Sequence, residues 1–307
     1  MGKATNIVKR GARALLGEGA YIGLRNCYRR AWLPIWNLLF TATRHRARFW
    51  RAVKLLDSES YCAPATPHRP PFPGYAVVEI NNTCNINCLM CDTASARRQK
   101  GVIDIGLLER VLAELKQRGI RSVDVHTIGD PLANPKLPAV LAVFRKLRMT
   151  PGLSTNGLLI KKHLKTLIEY RDVTSLIRLS IDGATKPTYE RIRAGGKWED
   201  LMENLTIASN ELVPRGFTLT SNMVVSEDNV SEAGLFVEVF RPFVMPSNMQ
   251  FSFVNSLAPD TSYFHRVNLF PNHTVPNRPC SLPFSSFWVH LDGRVSSCCR
   301  DYHGEVI

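Results

Sequence analysis

Three cysteines, Cys84, Cys88 and Cys91, stand at C-x3-C-x2-C directly after a run of β-branched apolar residues. Thiolates are soft ligands that suit an iron–sulfur cluster or zinc. A structural zinc site closes with four ligands, and no Cys or His falls in the ten residues after Cys91. Three thiolates on one short loop leave a coordination position open, where a small molecule can reach the metal directly. The rival readings are an incomplete zinc site and three loop cysteines packed as small apolar side chains.

A second group lies near the other end of the chain. Cys280, Gly293 and Cys298 are spaced C-x12-G-x4-C, and Cys299 follows at once. Asp292-Gly293 between apolar residues signals a hairpin. Here the rival reading is a hairpin with buried cysteines. Eight cysteines in 307 residues, clustered rather than spread, do not read as a disulfide framework. The N-terminal apolar run Ala14-Leu15-Leu16 is too short for a secretory leader. The expectation is a reducing, cytoplasmic compartment.

The cysteine loop must be placed by regular elements, and the hydrophobic pattern supplies them. Short β-branched runs at 75–80, 122–127, 149–154, 175–182, 218–225 and 250–254 read as strands. Apolar residues at helical spacing mark 105–118, 137–147, 161–170, 201–212 and 231–240. Repeated strand–helix units imply parallel strands with right-handed crossovers, either an open sheet or an incomplete barrel. In both, the working face is the C-terminal end of the strands. Turn-forming residues stand at just those ends. They are Gly129-Asp130-Pro131 after the second strand, Thr155-Asn156-Gly157 after the third, and Ser180 to Gly183 at the fourth.

The net charge of +13 is uneven. Residues 1–60 carry twelve Lys/Arg against three acids, a net +9. This basic stretch reads as helical, with Trp32, Trp36, Leu38, Leu39 and Phe40 on an apolar run flanked by arginines. It suits either an interfacial helix pair on a membrane surface or, the preferred reading, a segment whose apolar face packs on the barrel. No run of about 18 apolar residues suggests a spanning helix. No nucleic-acid-reading motif accompanies the charge, so no nucleic acid is expected. A Pro-rich linker at 64–73 then separates three regions: 1–74, the basic helical extension with its linker; 75–258, the strand–helix core; and 259–307, the cysteine-bearing tail.

The triplet, its place after the first strand, and the motifs at later strand ends together resemble the radical S-adenosylmethionine (SAM) superfamily. The stretch Ser180-Ile181-Asp182-Gly183-Ala184 with Tyr189-Glu190 and Ile192-Arg193 is similar to one common in its SPASM branch. The resemblance implies an α/β fold, a partial (β/α)6 TIM-like barrel, followed by a short SPASM-like C-terminal region. It implies that Cys84, Cys88 and Cys91 hold a [4Fe–4S] cluster whose fourth iron is chelated by SAM. Reductive cleavage would give a 5′-deoxyadenosyl radical that abstracts hydrogen from substrate. Gly129, Asp130 and Pro131 stand at the family's Gly-Glu-Pro position, facing the SAM ammonium, with Asp in place of Glu. Thr155 and Asn156 match its Thr-Asn-Gly turn. Ser180 and Arg193 become candidates for the SAM carboxylate and ribose, with Asp182 at the strand end and Asn222 on the fifth strand as further contacts.

By the same resemblance Cys280, Cys298 and Cys299 open an auxiliary-cluster region whose second half is missing from this sequence. A reductase or flavodoxin-type electron donor is an expected partner. The substrate is expected to be a peptide or protein, with a sugar or aminocyclitol dehydrogenase or mutase as the alternative. A non-catalytic metal-binding scaffold is the rival from another class.

Overall fold

The computed structural model describes residues 74–91, 93, 96–253, 267, 282–299 and 301–305. The expectations for the basic extension, the linker and Cys280 lie outside them.

Six parallel strands succeed one another in chain order. They are β1 (Tyr75–Val78), β2 (Ser122–Asp124), β3 (Thr150–Thr155), β4 (Leu176–Ser180), β5 (Thr218–Val225) and β6 (Met249–Phe253). Each hydrogen-bonds to the next, and at the other side β1 pairs in parallel with β7 (Ser286–Val289). A tight turn then brings β8 (Val295–Ser296) back antiparallel to β7. The eight strands run in the order β6-β5-β4-β3-β2-β1-β7-β8. Among the described residues the two edges do not meet, so the curved sheet remains open, as an α/β partial barrel does.

The helices that return the chain between strands follow the expected apolar spacing. Helix α1 (Ile105–Gln117) starts where the Asp104 side chain accepts the Leu107 N–H at 2.8 Å, a standard way to satisfy a free N-terminal donor. It buries Leu108, Leu112 and Leu115. Helix α2 (Leu137–Leu147) buries Val140, Leu141 and Phe144 and ends on Arg148 in the left-handed conformation. Helix α3 (Ile160–Glu169) crosses to β4. A short helix α4 (Lys186–Ile192) precedes α5 (Trp198–Ile207), and the stretch after α5 continues as a π-turn to Leu212. Helix α6 (Ala233–Phe240) completes the set, with Phe236 and Phe240 fully buried.

The strands explain how polar side chains reach one side of the sheet. In β5 buried and half-buried residues alternate, with Leu219, Ser221, Met223 and Val225 under the helices. Thr220 and Asn222 therefore face the concave side. β4 alternates likewise, with Ile177 and Leu179 in the core and Arg178 and Ser180 opposite. No helix among the described residues is long and apolar enough to cross a membrane.

Candidate active site

The loop after β1 carries the three cysteines and is held from three sides. From the following segment, Gly101 and Gln99 bond the Asn82 side chain at 2.8 and 2.9 Å. Beyond β2, the Asp130 N–H donates to Thr83 O at 2.9 Å, and the Asn81 amide donates to Asp130 O at 3.0 Å. After α4, Asn87 N–H donates to Ala194 O at 2.8 Å and Leu89 N–H to Ile192 O at 3.0 Å. The two residues flanking Cys88 are thus registered against the end of α4.

Gly129 makes this packing possible. Its φ is +92°, and a Cβ there would lie 2.7 Å from Thr83 O and 3.0 Å from Asn81 O. Any side chain would push the cysteine loop away. Pro131 then starts a 3-10 turn, Pro131–Ala133, capped by Asp130.

The three thiols border one cleft of about 190 Å³. Its walls also hold Gly129, Asp130, Thr155, Asn156, Ser180, Asp182 and Arg193, the residues expected from the strand ends. Pro131 sits behind it, buried in its turn. Asn222 is not among the lining residues, and its amide donates to Ser252 Oγ at 3.0 Å. Cys298 and Cys299 also lie away from the lining, half-buried beyond β8.

Two buried acids tie the strand ends together. The Asp130 carboxylate accepts from the Thr155 hydroxyl at 2.9 Å, Asn156 N–H at 2.7 Å and Leu132 N–H at 2.9 Å. Burial raises its pKa and these donors oppose the rise. Its side chain is occupied in joining the β2 and β3 loops, which the shorter Asp can do from the Glu position. Asp182 is fully buried, accepts Val224 N–H at 2.8 Å, and pairs with Arg193 Nη2 at 2.6 Å. Burial pushes Asp182 upward, against the pull of Arg193. For Arg193, burial works against the charge, and Asp182 and Cys88 more than offset it.

The sulfurs have weak partners. Arg193 Nη1 donates to Cys88 Sγ at 3.4 Å and Asn156 Nδ2 to Cys84 Sγ at 3.7 Å. The Cys91 Sγ and Thr93 Oγ1 lie 3.0 Å apart. Burial pushes the Cys84 thiol up to about 11 and raises Cys88 as well, with Arg193 opposing the latter. Buried thiols of this kind stay protonated unless a metal takes the proton's place. Among the described residues, no three Cys, His, Asp or Glu side chains converge to hold a metal ion. A mononuclear ion draws its ligands to a point, whereas a cubane cluster takes each thiolate on a separate iron. Three soft thiols bordering one cleft are a donor set that suits an iron–sulfur cluster.

Sequence reasoning named no role for several cleft residues. His126 is one, two residues beyond the inward-facing Asp124 and therefore on the same side. That alternation is a signal that could have found it. Burial lowers its pKa, with Asp124 opposing. Tyr302, which closes the cleft beside Ile128 and Ala96, carries no local signal at all.

A family description, the Radical SAM superfamily, matches residues 78–237, just over half of the chain. Among curated proteins, GTP 3′,8-cyclase of Synechocystis is 27% identical over 154 residues, covering 49% of this chain and 45% of that protein. The PqqA peptide cyclase of Gluconobacter oxydans is 26% identical over 165 residues, covering 53% of this chain and 44% of that protein. The chain thus corresponds to about half the length of these relatives. Among solved structures, Streptococcus suis SuiB bound to its precursor peptide SuiA superposes with a TM-score of 0.59 at 14% identity, over 77% of this chain and 62% of that one. At that identity the likeness is one of fold.

Proposed function

The chain belongs to the radical SAM superfamily, and on that premise we propose that it cleaves SAM reductively at a [4Fe–4S] cluster and modifies a peptide or protein. The family's cofactors are that cluster and SAM. When bound, they supply a one-electron cleavage that leaves a carbon radical able to take hydrogen from an unactivated C–H bond. The observation that carries this reading is the shared cleft, where the three thiols face the ends of β2, β3 and β4.

In this reading Cys84, Cys88 and Cys91 are the cluster ligands. Gly129 and Pro131 shape the main chain that meets the SAM ammonium, with Asp130 bracing that turn from behind. Thr155, Asn156 and Ser180 lie where its carboxylate and ribose would be bound. Cys84 and Cys88 are half-buried, whereas Cys91 is exposed at the mouth of the loop. Residues 75–258 form the catalytic core. An electron donor of the reductase or flavodoxin type is needed for each cleavage, and an auxiliary cluster on Cys280, Cys298 and Cys299 would raise the iron content above four per chain.

Similarity to a peptide cyclase favours a peptide substrate. Similarity to a nucleotide cyclase supports a small-molecule substrate as the second reading. Anaerobic reconstitution followed by dithionite tests the chemistry: the expected products are methionine and 5′-deoxyadenosine. Colourless protein with bound zinc would contradict it. Deuterated candidate substrates then separate the two readings, because the true substrate transfers deuterium to 5′-deoxyadenosine. Transfer from a peptide encoded beside this chain supports the first, and transfer only from a sugar or nucleotide supports the second.

A further inference from the structure

Arg193 stands on the resemblance as a group for the SAM carboxylate or ribose, yet its guanidinium is already engaged on both arms. One arm, Nη2, pairs with the fully buried Asp182 at 2.6 Å. The other, Nη1, donates to Cys88 Sγ at 3.4 Å. The side chain is only 11% exposed. The main chain repeats the same registration, because Asn87 and Leu89, on either side of Cys88, both donate to the 192–194 segment that carries Arg193. Gly195, at φ +91°, closes this segment against Ile86 of the cysteine loop. A long cation held by backbone on both sides of one thiol is poorly placed to swing toward a ligand.

We propose that Arg193 is a positioning residue for the cluster, not a ligand of SAM: its charge and its N–H donor act on the Cys88 sulfur and raise the cluster's reduction potential. This rests on the reading that Cys88 ligates iron. The physical ground is general, since hydrogen bonds to cluster sulfurs and nearby positive charge favour the reduced, more negative cluster. Asp182 has two parts in this arrangement. It anchors the guanidinium through a buried ion pair at 2.6 Å, and it moderates the positive charge by that pairing. Asn156 is the neutral counterpart at Cys84, where its amide reaches the sulfur at 3.7 Å.

The test is a redox titration of the reconstituted protein without SAM, followed by the reduced cluster's electron paramagnetic resonance signal. Arg193→Gln is expected to lower the potential by at least about 59 mV, a tenfold change in a one-electron equilibrium. Arg193→Lys, which keeps the charge and loses the fork, recovers part of that shift. Because Arg193→Gln leaves Asp182 buried without its partner, Asp182→Asn serves as the second variant. It removes the opposing charge, so the potential should move upward. SAM affinity, read by equilibrium dialysis, should change less in Arg193→Gln than in Ser180→Ala. An unchanged potential in both Arg193→Gln and Asp182→Asn overturns the inference alone. A wild-type chain that takes up no iron overturns it together with the reading it rests on.

Discussion

Two buried carboxylates flank the cysteine loop, each held by an arginine, and they are used in opposite ways. Glu79, at the end of β1, is saturated. Arg98 grips it with two bonds of 2.6 and 2.7 Å, Leu291 N–H adds a third at 3.2 Å, and the Thr127 hydroxyl bonds it as well. Arg98 also bonds Tyr302 O. This node joins β1, the segment after the cysteines, the β2 loop and the β7–β8 turn; Glu79 and Arg98 themselves lie outside the cleft lining, which the node meets at Thr127 and Tyr302. Asp182 is equally buried, but its arginine keeps one arm for a thiol, and both residues border the cleft. A saturated buried pair locks elements together. A pair with one arm left over is available to chemistry.

The largest expected effect tests the cleft side of that contrast. Cys88→Ala should reduce SAM cleavage by more than about a hundredfold, beyond the range seen for groups that only orient a metal ligand. 5′-Deoxyadenosine production measures it. Residual cleavage within a few fold of wild type would separate Cys88 from the cluster.

The Glu79 node should respond in stability. Glu79→Leu strands the Arg98 charge in the interior and should cost about 3–5 kcal/mol in chemical denaturation. Adding Arg98→Met removes the stranded charge, so the double variant should recover much of that loss. If the double variant is no better than the single one, the node does not act as a pair.

Gly129→Ala sits between the two. Its left-handed backbone and the 2.7 Å approach to Thr83 O predict a cost of about 1–3 kcal/mol. Because Thr83 precedes Cys84, iron uptake should fall with stability. The smallest effect is expected at Asn222→Ala. Loss of the bond to Ser252 should cost about 0.5–1.5 kcal/mol, and the loss of SAM affinity should be smaller than in Ser180→Ala. A larger loss at Asn222 would bring β5 into the SAM site.

Much of this was legible in the sequence, and the reasons are local. All six expected strands are present, because β-branched runs bounded by turn residues admit few alternatives. The strand-end motifs converge on one cleft, because parallel strands joined by helices bring their C-terminal ends to one face. Helix α4 went unread as an element. Seven residues beginning Lys186-Pro187 give too few turns for a periodic signal. The hairpin at Asp292-Gly293 was visible, but not the parallel pairing of β7 with β1. Partner choice between strands some two hundred residues apart is set by tertiary packing, here by the Glu79 node, which no local pattern encodes. Tyr302 reached the cleft wall unannounced for the same reason. Asp130 differs again: its place at a strand end is evident from the sequence, whereas the bonds of its carboxylate to the β3 turn depend on how β2 and β3 pack.

The central claim is that SAM binds the iron left open by Cys84, Cys88 and Cys91. Electron–nuclear double resonance on the reduced, reconstituted protein tests it most directly, using SAM labelled with nitrogen-15 at the amine and oxygen-17 at the carboxylate. Both labels should couple to the cluster, and the coupling should vanish in Cys88→Ala. A reduced cluster that shows no coupling to either label would contradict the account.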